Sequence, residues 1–68
     1  MRKIQKGDRV VVLREITRAE GPYASAGEAG EVWETFQPQQ ARKGEWCAKV
    51  QMDGGGTKTF RVTSLRRE

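Results

Sequence analysis

Apolar and polar positions alternate most regularly towards the C-terminal end. In EWCAKVQM, residues 45 to 52, Trp46, Ala48, Val50 and Met52 share one face of an extended chain, and Cys47, Lys49 and Gln51 share the other. TKTFRV, residues 57 to 62, alternates again, with Phe60 and Val62 inward and Thr59 and Arg61 outward. Between them lies Asp53-Gly54-Gly55-Gly56. Nearer the start, KGDRVVVLREI sets Gly7-Asp8 turn chemistry before Val10, Val11, Val12 and Leu13, strong strand formers bracketed by Arg9 and Arg14. GEVWETF predicts another strand, with Val32, Glu34 and Phe36 pointing one way and Glu31, Trp33 and Thr35 the other. Neither face is clean. TSLRRE closes the chain with Leu65 as the last core position, after a short 3₁₀ turn.

Two stretches carry no usable period. TRAEGPYASAGEAG, residues 17 to 30, contains Gly21-Pro22, Gly27 and Gly30 and reads as a long loop or extended arm; two glycines argue against an alanine-rich helical turn at 24 to 29. QPQQARKG is a polar surface loop. Five short strands without a helix predict an all-β domain over residues 1–68, a small five-stranded barrel with a long loop after the first strand. The expected core is Val10, Val12, Val32, Phe36, Trp46, Ala48, Val50, Phe60, Val62 and Leu65. Closing the sheet would also remove its exposed edges.

Composition narrows the chemistry. A chain of 68 residues buries only about 60% of its unfolded surface, so its core is small. Cys47 is the only cysteine and there is no histidine, which excludes an internal disulfide and leaves no set of zinc ligands. Neither a signal peptide nor a run of roughly 20 apolar residues is visible, so the expectation is a cytoplasmic protein with no membrane partner. Thirteen basic residues face nine acidic ones. Residues 1 to 18 carry Arg2, Lys3, Lys6, Arg9, Arg14 and Arg18 against Asp8 and Glu15; residues 19 to 41 hold four glutamates and no basic residue; the remainder is basic again. Two basic ends around an acidic middle point to a folded molecule with one positive side, or to a mixed solvated surface.

KGDRVVVL, GEAGEVWE and FRVTSLRRE together resemble the SH3-like small barrels, above all the KOW-type and photosystem-accessory branches. The resemblance covers nearly the whole chain and implies a fold more than a family. KOW-type barrels bind RNA, archaeal chromatin barrels with a hairpin like DGGGTKT bind DNA, and accessory subunits of photosystem I and of ferredoxin–thioredoxin reductase dock proteins. The type II dihydrofolate reductases are tetramers of such barrels, but TKTFRV stands here in place of their Gln-Ile-Tyr segment, so no reductase activity is implied.

The residues themselves point to binding rather than catalysis. Without histidine the commonest general acid–base group is missing, and no two carboxylates are spaced as a pair. Cys47, with Lys49 two residues on, reads as a semi-exposed structural cysteine; no catalytic residue and no cofactor is expected. The glycine run lacks the G-x-x-x-x-G-K-[ST] order and the following helix that a phosphate loop needs, so it is a hairpin tip where glycine supplies positive φ. Nucleic-acid binding requires cations for phosphates and aromatic faces for bases. Lys49, Lys58 and Arg61 are the candidates, with Trp33 as a stacking platform if it is exposed rather than taken into the core in place of Val32 or into an oligomer interface, joined by Arg66 and Arg67 and by Arg42 and Lys43. Lys58 shares the parity of Phe60 and reaches out near the hairpin tip. The second function class is docking of an acidic protein surface, or homo-oligomerisation, through Trp33 or through Tyr23 in the long loop.

Overall fold

A computed structural model of the protein describes residues 3–39 and 45–68. Seven strands form among these residues: β1 (Arg9–Val12), β2 (Ile16–Arg18), β3 (Gly21–Ala24), β4 (Ala29–Phe36), β5 (Cys47–Met52), β6 (Thr57–Arg61) and β7 (Leu65–Arg67). A 3₁₀ turn, Val62–Ser64, precedes β7 as expected. The protein is all-β. Its strands pair antiparallel in a five-stranded sheet ordered β6-β5-β4-β1-β7 and a separate β2-β3 hairpin. These ladders leave β6 and β7 as edges and do not close a ring. Among the described residues no helix is long and apolar enough to cross a membrane.

The expected loop over 17–29 needs correction, because its first half is the β2-β3 hairpin. Pro22 lacks the N–H that a central strand would need, yet it is tolerated in a two-stranded ribbon. Gly21, at φ +128°, starts β3 in a backbone region that other residues rarely enter. A turn, not a helix, follows, with Glu28 N–H donating to Ser25 C=O. The glycine run is the β5-β6 hairpin tip: Gly55 and Gly56 hold φ of 105° and 80°, and Met52 N–H reaches Gly56 C=O.

Val10, Val12, Ala24, Val32, Ala48, Val50, Met52, Phe60 and Leu65 form the core, with Ile4, Ile16, Tyr23 and Val62 packed around it. Ala24 enters because the hairpin folds its last residue under the sheet. Two expected core residues stand elsewhere. Trp46 precedes β5, is half-buried and carries the Lys3 ammonium 5.2 Å from its ring centre. Phe36 is displaced by a register shift in β4. Val32 pairs with Val50, but Glu34 pairs with Lys49, so Trp33 is an extra residue that no β5 residue opposes. Such a bulge reverses the alternation beyond it. Thr35 then sits opposite core Ala48, while Glu34 and Phe36 join Lys49 and Cys47 on the outer face. Cys47 is consequently buried rather than semi-exposed, yet it lies outside the core.

β4 runs closely against β5 at Gly30. A Cβ there would collide with the Gln51 carbonyl oxygen and lie 2.7 Å from Val50 Cγ1. Arg9 ties β1 to the hairpin tip by donating to Asp53 Oδ1 at 2.9 Å and Oδ2 at 2.6 Å, and Glu68 approaches Arg9 Nε at 3.4 Å. Those hydrogen bonds, with a smaller help from the guanidinium charge, outweigh desolvation and hold the Asp53 carboxyl below its ordinary range.

Gly30→Ala is expected to lower unfolding stability by about 2 kcal/mol through overpacking, whereas Gly54→Ala, with open space at its Cβ, stays within about 0.5 kcal/mol. Urea denaturation of both variants measures this, and equal stabilities would refute the close approach. Because the folded state prefers ionised Asp53, the contribution of that pair is complete above the ordinary carboxyl pKa of 3.8 and disappears as pH falls through the lower folded value. The stability gap between wild type and Asp53→Asn should therefore be constant at neutral pH and narrow only under acid below 3.8.

Candidate binding surfaces

The structure divides the expected binding residues into three places. Trp33, Lys49 and Phe36 share the outer face of β4 and β5. Trp33 is 44% exposed, as the bulge requires. The Lys49 ammonium stands 5.3 Å from the Trp33 ring centre and 5.6 Å from that of Phe36, within cation–π range of both. Glu34 Oε2 lies 3.9 Å from the same ammonium. Lys49 thus lies over two aromatic rings with a carboxylate alongside.

Tyr23, Lys58 and the unforeseen Arg18 form the second group, which clasps the β2-β3 hairpin to β6. Thr59 donates its N–H to Tyr23 Oη at 2.8 Å, and Arg18 Nη2 donates to Thr59 C=O at 3.1 Å. Both backbone groups of Thr59 point away from β5, so these two side chains occupy the place of a neighbouring strand. Lys58 Nζ in turn donates to Tyr23 C=O at 2.7 Å and lies 3.7 Å from Glu28 Oε1. The Tyr23 ring packs edge-on to Phe60 at 5.7 Å, with Arg18 4.2 Å and Lys58 5.6 Å from its centre. Lys58 therefore turns towards the hairpin. No sequence period announced this, because the clasp joins residues about forty positions apart and depends on where the hairpin folds back.

The remaining candidates are dispersed. Arg61, on β6, has Glu45 Oε1 3.3 Å from its Nε. Arg66 and Arg67 are exposed on β7, the opposite edge of the sheet, where Arg66 stands beside Val11. Arg42 and Lys43 lie outside the described residues. Lys49 and Arg61 on the outer face of β4, β5 and β6 each have a carboxylate within 4 Å, and so does Lys58 on the hairpin side. Among the described residues no group of three or more His, Cys, Asp or Glu side chains is placed to hold a metal. No family model, curated protein or solved structure matches the chain.

Tyr23→Phe removes the acceptor of the Thr59 N–H and should cost about 1 kcal/mol of stability. The sharper readout is amide hydrogen exchange: Thr59 exchanges faster in the variant while Ala48, in the sheet interior, is unchanged. An unchanged Thr59 rate would contradict the clasp.

Proposed function

We propose that the protein is a non-enzymatic, SH3-like binding module that docks a protein surface through the outer face of β4 and β5, centred on Trp33. The supporting observation is the exposed, bulged Trp33 under Lys49 and beside Phe36, on a face whose cations are matched by carboxylates. An aromatic anchor with a positioned cation is the kind of group that dominates protein interfaces. Phosphate binding asks for something else, several cations free to replace counterions along a backbone. Lys49 and Arg61 stand against Glu34 and Glu45, and Glu31 borders the same face opposite Gln51. The electrostatic term that drives non-specific nucleic-acid binding is therefore weak on this face. The SH3-like assignment draws on the resemblance of the sequence and on the hairpin, 3₁₀ turn and final strand that follow one another as in such barrels.

A second reading keeps nucleic acid as the partner. It draws on the net charge of +4 and on Lys6, Arg14, Arg66 and Arg67, exposed cations that form no ion pair among the described residues. They are distributed over the N-terminal segment, the β1-β2 connection and β7 rather than gathered on one face, and Lys6 precedes Gly7, whose N–H donates to Val32 C=O.

Fluorescence anisotropy with labelled single- and double-stranded oligonucleotides at low and high salt separates the two. Docking predicts no saturable binding even at low salt. Saturable binding that weakens steeply as salt rises, and is reduced by Arg66→Ala/Arg67→Ala, would establish the second reading. Docking also predicts that affinity capture with immobilised full chain survives high salt and is lost for Trp33→Ser. Trp33→Ser also removes the contact with Lys49 and should cost about 1 to 2 kcal/mol, so urea denaturation showing that the variant is still folded accompanies the capture and makes its loss report the face and not the fold.

A further inference from the structure

The five-stranded sheet ends on β6 and β7, and the two edges differ. On β6 the backbone groups of Thr59 are taken up by Tyr23 and Arg18. Among the described residues no side chain covers β7 in this way. Its pairing with β1 fixes which of its groups face outward. Glu68 N–H donates to Arg9 C=O, and Leu13 N–H donates to Ser64 C=O, so Ser64, Arg66 and Glu68 turn their backbone groups to β1. Leu65 and Arg67 turn theirs the other way. Leu65 N–H is taken by Val62 C=O. Leu65 C=O and both backbone groups of Arg67 are left unpaired among the described residues. The side chains add charge. Arg66 and Arg67 are exposed and form no ion pair among the described residues. The neighbouring Glu68 carboxylate turns to Arg9 instead. Arg66 lies on the outer side opposite Val11, and Arg67 on the side of Leu65 opposite Val10, so the two arginines flank the edge from both sides.

An unpaired strand edge between two free cations selects its occupant. We infer that β7 is a docking edge for an acidic, extended segment of a partner protein, which adds to the sheet as a further antiparallel strand. The partner residue opposite Arg67 exchanges both backbone hydrogen bonds with it, and the partner residue opposite Leu65 donates its N–H to Leu65 C=O. Carboxylates on the residues opposite Arg66 and Arg67 then stand beside the two guanidiniums, at a cross-strand Cβ spacing of about 5 Å. Two consecutive acidic residues meet that requirement, because neighbouring side chains of a strand go to opposite sides. A second copy of this chain does not fit. Two β7 strands side by side would gather four guanidiniums, and like charges placed opposite one another are destabilising. Arginine on an edge thus guards against self-pairing while admitting an acidic strand. A phosphate backbone would satisfy the cations, but it offers no N–H donor to the carbonyls of Leu65 and Arg67. β1 separates β7 from β4, so this edge and the Trp33 site are different surfaces.

The test is an NMR titration of the ¹⁵N-labelled full chain, at low salt, with acetyl-Thr-Val-Glu-Glu-Val-Thr-amide. Its glutamates fall opposite Arg67 and Arg66, and the valine after them falls opposite Leu65. The peptide should shift the Arg67 amide saturably and, at saturation, slow its hydrogen exchange. The Arg66 amide, already turned to β1, should keep its exchange rate. Replacing both glutamates by glutamine should weaken binding about fivefold, as expected for two exposed ion pairs. N-methylation of the first glutamate and of the valine after the second removes the two N–H groups aimed at β7 and should weaken binding about tenfold or more. On Arg66→Gln/Arg67→Gln, whose wild-type side chains are exposed, the acidic and glutamine peptides should bind alike. Equal binding of those two peptides to the wild type, binding undiminished by N-methylation, or no shift at Arg67 at about 10 mM peptide would overturn the proposal. So would a single-stranded oligonucleotide that shifts the Arg67 amide at lower concentration than the peptide does, since the edge would then belong to nucleic acid.

Discussion

A single extra residue in β4 organises this molecule. Continuing the alternation that buries Val32 would carry Glu34 into the interior opposite Ala48, which pairs on its other side with Phe60. An unpaired carboxylate there would cost several kcal/mol or force its neutralisation. The bulge at Trp33 avoids that cost. It keeps Val32 inside, returns Glu34 to the surface against Lys49, and gives the inner position beside Ala48 to the small Thr35. Phe36 moves outward with Glu34 and lies opposite Cys47, which is buried although it lies outside the core. Trp33 itself is left without a partner residue on β5. The aromatic outer face follows from the need to keep one charge out of the core.

The second constraint is the open edge of β6. A strand edge offers unpaired backbone groups to any passing chain, and natural proteins cover such edges. Here the cover consists of side chains. Tyr23 and Arg18 take up the N–H and C=O of Thr59, and Lys58 fixes the hairpin by its own bond to Tyr23 C=O. Because the clasp acts at Thr59, the adjoining end of β6 at Arg61 remains beside the cleft. The device that blocks one part of the edge thus frames a cleft at another. It also explains why Lys58, a candidate phosphate contact by position, turns towards the hairpin.

Much of the fold was legible in the residue pattern. The valine run of β1, the clean alternation of β5 and β6, the glycine-rich tip between them and the 3₁₀ turn before Leu65 all stand where local chemistry puts them. What escaped were features set by two distant segments at once. The β2-β3 hairpin looked like a loop because Gly21-Pro22 interrupts it, and only its docking to β6 makes a strand of it. The reversal after Trp33 was foreshadowed by the mixed faces of GEVWETF, but its placement depends on pairing with β5. For the sites, exposure of Trp33 and its proximity to Lys49 follow from parity and the bulge. Pairing of Lys49, Lys58 and Arg61 with glutamates does not, because each carboxylate comes from a different element or loop.

These features favour a module that works by contact. On the proposed docking reading the Trp33 face is its aromatic anchor, and apart from it the hairpin and the end of β6 frame a small cleft. Both descend from the register of β4 and the position of the hairpin, and the register is the deeper of the two. Nuclear Overhauser contacts of the Phe36 ring test it most directly. The account predicts cross-peaks from Phe36 to the Lys49 side chain and to Cys47 Hβ, and none to the Ala48 or Val62 methyls. Cross-peaks from Phe36 to the Ala48 and Val62 methyls would mean that β4 alternates without a bulge and places Phe36 opposite Trp46, and the aromatic outer face would not exist.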